Sequence, residues 1–136
     1  MAHDKFRAEI LTPEGEVFSD EVEMISTRTT AGSIGVLAHH APILAMLEPT
    51  ELRLYKTESE VVRYAQAEGY MQVAENRALL LVEEAHSPNE LGGLNLRERL
   101  NQAERELESA GEDTERRRVA ERDKRRLEVF LGISEG

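Results

Sequence analysis

The sequence predicts an α+β chain, an N-terminal antiparallel β-sandwich followed by a C-terminal antiparallel two-helix hairpin. Three observations carry that prediction. The apolar period is two over the first two thirds of the chain and changes to the 3–4 spacing of a helix after it. All four prolines (Pro13, Pro42, Pro49, Pro88) precede residue 89, and between Arg97 and Leu131 the only glycine is Gly111. Charge divides at the same place: residues 1–96 hold 7 basic and 16 acidic side chains (−9), residues 97–136 hold 10 and 11 (−1).

The strands follow from alternation. Phe6, Ala8 and Ile10 alternate with Lys5, Arg7 and Glu9; Val22 and Met24 with Glu21 and Glu23; Leu52 and Leu54 with Glu51 and Arg53. Further strands are expected at Ser33–Ala38, Val61–Ala67, Tyr70–Ala74 and the fully apolar Ala78–Val82. Turns are expected at Pro13-Glu14-Gly15, Ala31-Gly32-Ser33, Glu48-Pro49-Thr50 and Glu75-Asn76-Arg77. Many short strands without long helices between them favour an antiparallel sandwich over a parallel sheet. Ser-Pro and Gly-Gly within His86–Gly93 read as punctuation, giving a sandwich domain over 1–86, a hinge or linker over 87–93 and a helical domain over 94–136.

In the helical part Leu96, Leu100, Ala103, Leu107 and Ala110 share one face. Gly111 breaks that helix, and Asp113 or Thr114 can cap the next by accepting a backbone N–H bond. Val119, Ala120, Leu127, Phe130 and Leu131 give the second helix a sparse apolar side, so the pair should meet along a narrow Leu and Ala seam, and the hairpin should either lean on another surface or change conformation easily.

Composition narrows the function. The net charge of −10 and the 4% aromatic content disfavour nucleic acid, and the absence of cysteine removes disulfides, thiolate metal sites and Cys nucleophiles. The apolar stretches Ala41–Leu47 and Ala78–Val82 fall far short of the ~18 residues of a membrane span, and His3, Asp4 and Lys5 precede no signal-like stretch. Adjacent His39 and His40 point apart on an extended segment and do not chelate one ion, so no metal is expected. Gly32-Ser33-Ile34-Gly35 lacks the Lys and the following helix of a phosphate loop and reads as a structural turn. Glu83 and Glu84 are strand neighbours and cannot share one cleft as acid and base. No residue set supplies a nucleophile, a base and an orienting group, so no catalysis and no cofactor are expected. Arg118, Arg122 and Arg126 are spaced by four, with Arg125 beside them. They form a stripe for an acidic partner, or they pair within the helix with Glu115, Glu121, Asp123 and Glu128 at only ~0.3–0.5 kcal/mol each; both readings stay open.

Leu11-Thr12-Pro13-Glu14-Gly15-Glu16-Val17-Phe18-Ser19, Gly32-Ser33-Ile34-Gly35-Val36-Leu37, His40-Ala41-Pro42-Ile43-Leu44 and Ala67-Glu68-Gly69-Tyr70-Met71-Gln72-Val73, in this order and spacing, resemble the ε subunits of F-type ATP synthases over nearly the whole chain. The resemblance implies a non-catalytic central-stalk component between the γ subunit and the membrane c-ring, held peripherally at the cytoplasmic face of the plasma membrane or the equivalent organelle face. It implies a c-ring-facing loop with Gly32, Ser33, Ile34, His40, Ala41 and Pro42 forming a rigid polar tip. It also implies a hairpin that extends toward the catalytic α and β subunits to restrain ATP hydrolysis, with Arg118, Arg122, Arg125 and Arg126 as its contacts. Ser33 and Thr50 replace the acid and the glycine common at those places. The motif of aliphatic residue, Asp, two residues, Arg and Ala that helps relatives bind ATP here reads Leu91-Gly92-Gly93-Leu94-Asn95-Leu96. With Gly92, Asn95 and Leu96 in place of its Asp, Arg and Ala, weak or no ATP binding is expected. The competing reading is a β-sandwich ligand or interaction module with a helical tail.

Overall fold

The computed structural model describes residues 3–136, which divide into two compact units, one ending at His86 and the other beginning at Ser87. The first holds ten strands: β1 (Phe6–Thr12), β2 (Gly15–Val22), β3 (Met24–Thr29), β4 (Gly32–Leu37), β5 (Ile43–Leu47), β6 (Thr50–Tyr55), β7 (Val61–Gln66), β8 (Gly69–Ala74), β9 (Arg77–Val82) and β10 (Ala85–His86). Their order is β10-β7-β6-β3-β5-β8-β9-β1-β2, with β4 on β3. Every pair is antiparallel except β1 with β9. A single pair, Thr29 with Leu47, joins β3 to β5, so the sheet folds there into two halves. Alternate side chains from both halves fill the interior: Ala8, Ile10, Val22, Ile25, Val36, Leu52, Leu54, Met71 and Leu80 have no exposed surface. This is the sandwich that the period of two predicts, with an aliphatic core.

Two details depart from the simple alternation. The pattern read through Glu21–Met24 is broken at Glu23, where β2 ends and β3 begins. There the Glu23 amide donates to Tyr55 O at 2.7 Å, and Glu23, expected on the wet side, is only 5% exposed. The second departure is Gln66, which is fully buried: its Nε2 donates to Glu48 O at 2.9 Å and its Oε1 accepts from Thr27 Oγ1 at 2.6 Å. With both ends of the amide bonded, burial costs little. The strand β5 was not foreseen. Ile43–Leu47 is apolar without alternation, because Leu44 and Met46 lie on the outside while Leu47 is buried.

Glycine is needed at one position for space. A Cβ on Gly69 would lie 2.0 Å from Leu81 O and 2.7 Å from Val82 Cα, so the close approach of β8 to β9 exists only without a side chain there.

In the second unit the stretch read as a linker is ordered. Pro88–Gly93 forms a 3-10 helix, with Glu90 accepting from the Ser87 amide at 3.1 Å and Leu91 1% exposed, and it packs against the last helix. Helix α1 (Leu96–Ser109) and helix α2 (Thr114–Glu135) follow. Gly111 takes φ +56°, and Asp113 caps α2 by accepting from the Arg116 amide at 3.1 Å. Leu96, Leu100, Ala103, Ala110, Ala120, Leu127 and Phe130 are buried in this unit, and Leu107 is half-buried. Among the described residues no helix is long and apolar enough to cross a membrane.

Candidate functional site

Gly32, Ser33 and Ile34 open β4 directly after the Thr30–Ala31 turn, whereas His40, Ala41 and Pro42 follow its other end. A six-residue strand is about 17 Å long, so the two triplets occupy opposite ends of the sandwich. They do not form the single tip expected of a Gly32–Pro42 loop. The physical reason is that Ser33–Leu37 pairs along β3, where its backbone groups are satisfied and its apolar Val36 reaches the core.

Each end has its own fixation. At the first, Gly32 has φ +125°, Thr29 Oγ1 donates to Gly32 O at 3.0 Å and accepts from the Ala31 amide at 3.1 Å. Arg28 lies beside this turn, 3.5 Å from both Ser33 Oγ and a Glu48 carboxylate oxygen. At the second, His39 takes φ +64° and its amide donates to Asn76 Oδ1 at 2.7 Å, while its ring lies 3.4 Å from Asp4. His40 Nδ1 is 2.6 Å from Ala41 O. The two imidazoles thus engage different partners, and the described residues include no group of acids and histidines arranged to hold a metal. Glu84 is taken by His86 at 2.9 Å, and Glu83 stays exposed.

The arginines of α2 separate into two kinds. Arg118 is exposed and holds Glu115 at 2.7 Å, Arg117 lies 3.6 Å from Glu121, and Arg122 bonds Asp123 at 3.2 Å. Pairing draws the Glu115 carboxyl below its ordinary range and raises Arg118. Arg125 is exposed. Arg126 is instead 8% exposed, and burial lowers its affinity for a proton. In the folded hairpin it is therefore part of the helix seam and not of an outward stripe with Arg118 and Arg122. Spacing by four allowed the stripe; the slow drift of a 3.6-residue helix against its partner buried its last member.

Between the helices lies a groove of about 420 Å³, lined among others by Arg99, Arg116, Arg126, Glu106, Glu115 and Asp123. Three cations face three anions, so it offers no net positive charge to a polyphosphate. Gly92 and Asn95 are exposed and Leu96 is buried, so of the three positions only Asn95 offers a polar side chain, and that side chain is uncharged.

Apart from helix ends, the residues missed by reading motifs are the outward apolar ones, Leu44, Met46, Tyr70 and Leu81, at 74%, 55%, 52% and 47% exposure. Their signal was present: Ile43–Leu47 is an apolar run in a strand with one wet face.

A paired-sheet sandwich followed by a helical hairpin with its own core defines the class of the chain by its fold, an α+β protein of two units. The comparisons make the class specific. The family described as "ATP synthase, Delta/Epsilon chain, beta-sandwich domain" matches residues 5–88. The ATP synthase epsilon chain of Persephonella marina is 34% identical over 93% of both chains, and that of Rubrobacter xylanophilus 33% over 88% of this chain and 83% of its own. A chain from the mitochondrial ATP synthase of Euglena gracilis, in a structure of OSCP, F1 and c-ring, shares the fold with a TM-score of 0.76 at 21% identity, over 94% of this chain and 80% of that one. The chain belongs to the ATP synthase delta/epsilon family, as an epsilon chain, a stalk subunit and not a catalytic one.

Proposed function

We propose that this chain is the central-stalk subunit that ties γ to the c-ring of a proton-driven rotary ATP synthase, and that its hairpin restrains ATP hydrolysis. The observation that carries the reading is the division into two units with separate cores. One supplies a rigid body for a rotor joint, and the other is held by a seam in which Ala103, Ala110 and Ala120 are small. Small contacts contribute little at ~25 cal/mol per Å² of apolar area, so the cost of opening the hairpin rests on the few large buried side chains, Leu96, Leu100, Leu127 and Phe130. Opening also releases Arg126 from the seam to pair with carboxylates of the α and β subunits, beside Arg118, Arg122 and Arg125. The similarity to chains of F1/c-ring and "central stalk/cring" assemblies supports the same reading at the level of the fold. On this reading the subunit sits at the membrane surface through its partners, on the side where ATP is made.

Of the two sandwich ends, the one with Gly32, Ser33 and Ile34 faces the ring, since its turn is held by Thr29 and by a positive φ at Gly32. The His40–Pro42 end then points away. The hairpin groove does not hold ATP, for the charge balance given above.

Assembly of the enzyme with full-length chain and with a chain ending at Gly93 tests the reading. Tight γ capture by both, with hydrolysis lowered only by the full-length chain, is expected. Equal hydrolysis rates would remove the restraining role and leave the joint. A cysteine at Ser33 should cross-link to c and one at Ala41 should not. Titration calorimetry should show no saturable ATP binding.

A further inference from the structure

The sheet changes partner strand at one corner. β3 runs beside β6 from Met24 to Ser26 and meets β5 at Thr29, so Thr27 falls between the two ladders. Backbone bonds are few there: the Thr30 amide donates to Met46 O at 3.0 Å, and the Glu48 amide donates to Arg28 O at 3.0 Å. A side chain from another strand bridges the corner. Gln66 of β7 accepts from Thr27 Oγ1 at 2.6 Å and donates to Glu48 O at 2.9 Å.

Gln66 has no exposed surface, and Thr27 and Thr29 are 4% and 7% exposed. Polar groups in such a place are costly unless each is bonded. That condition is met, since no buried side-chain nitrogen or oxygen among the described residues lacks a partner. Leucine or methionine would fill a similar volume with no such condition. What the amide adds over them is direction, because it bonds only where its donor and its acceptor are aimed.

Both atoms that Gln66 holds lie at the base of the Thr30–Ala31 turn. Thr27 precedes the turn on β3. Glu48 returns to it: its amide bonds Arg28 O, its carboxylate is 3.5 Å from Arg28 Nε, and Arg28 is 3.5 Å from Ser33 Oγ. The Arg28 side chain is half exposed, so this outer contact holds the turn weakly. The buried amide therefore governs the angle at which the turn leaves the sheet.

We propose that Gln66, through Thr27 and the Glu48 carbonyl, is the positioning residue of the Gly32–Ile34 end and aims its turn at the c-ring. The proposal rests on the reading above that this end faces the ring, and adds the internal bracket that sets the geometry of the contact. A fully bonded polar pair selects one packing of the corner, where apolar side chains would accept several.

The test uses the full chain carrying Ala31→Cys, at the exposed tip of the turn, assembled with γ and the c-ring. Adding Q66L should lower the yield of cross-link to c at least fivefold while γ capture stays within twofold. T27V with Q66L removes both partners of one bond and so leaves no orphaned hydroxyl. That chain should regain most of the melting temperature lost by Q66L and none of the cross-link; if Q66L does not fold, it decides alone. T27S keeps the hydroxyl and should cross-link within twofold of the parent. In the free chain, Q66L should speed exchange of the Thr30, Ala31 and Glu48 amides at least tenfold relative to those of β1 and β9. A Q66L cross-link yield within twofold of the parent, or turn amides that exchange no faster, overturns the proposal while the stalk reading stands. Recovery of cross-link together with melting temperature in the double variant assigns Gln66 to stability alone and also overturns it. A parent chain that captures γ yet forms no cross-link to c overturns the ring-facing reading and the proposal with it.

Discussion

Replacing Gly69 by Ala adds one carbon where the structure has room for none. The new Cβ would lie 2.0 Å from the Leu81 carbonyl oxygen and 2.7 Å from Val82 Cα. Both obstacles are backbone, so no rotamer change relieves them, and β9 must retreat by more than an ångström. Leu80 and Val82 on that strand are in the core, and Leu80 has no exposed surface. The retreat loosens their packing and stretches the ladder around the Gly69–Val82 pair. Overpacking costs about 1–3 kcal/mol, and one weakened ladder bond about 1 kcal/mol. A loss of about 3 kcal/mol in a unit of this size lowers Tm by about 12–24 °C. Urea titration followed by strand circular dichroism measures it, with unchanged m as evidence that the native fold is otherwise kept. A G69A chain within about 0.5 kcal/mol of wild type, the range of neutral surface changes, would refute the claim that this contact demands glycine.

Other expectations concern the helical unit and pH. Phe130→Ala empties a fully buried site and should cost the hairpin about 3–5 kcal/mol, seen as lost amide protection in α1 and α2 while the strand signal persists. Asp113→Ala removes the cap bond to the Arg116 amide and should cost about 1 kcal/mol, read from the helical melting curve. Asp20 is held below its ordinary value by the Glu21 amide and by Lys56. A depressed folded-state pKa contributes stability above the unfolded value near pH ~4, lost as pH falls through the folded value. Asp20→Asn should accordingly make the acid-side decline of sandwich stability shallower below pH ~4, and an identical slope for both chains would sink the assignment.

Much of the fold was legible because strands with one buried face and helices with one buried stripe leave different periods. Phe6, Ala8 and Ile10 announced β1, and Leu96, Leu100 and Ala103 announced α1, from side-chain type alone. Ile43–Leu47 did not announce β5, since apolar Leu44 and Met46 on its outer face erase the alternation on which strand reading depends. Gln66 in the core was equally silent. Its burial is allowed by Thr27 and by the Glu48 carbonyl, 39 and 18 residues away.

The candidate site was legible in part. The stretches around Gly32 and His40 were found by their order and spacing, but their proximity in sequence suggested one loop, and a paired strand of six residues sets them at opposite ends. The arginines of α2 were likewise found by spacing, which gives the face of a helix without its neighbour.

By itself, then, the sequence determined the two regimes of structure, the charge that separates them, the helix break at Gly111 with a cap at Asp113 or Thr114, and the family. Local periodicity and backbone preference need only nearby residues. Tertiary structure alone decided which end of the sandwich each predicted triplet occupies, that Arg126 is in the seam, that Gly69 must be glycine and that four apolar side chains line up outside. Each of these depends on which distant strand or helix lies alongside, and pairing between segments far apart in the chain is not written in the period of either one.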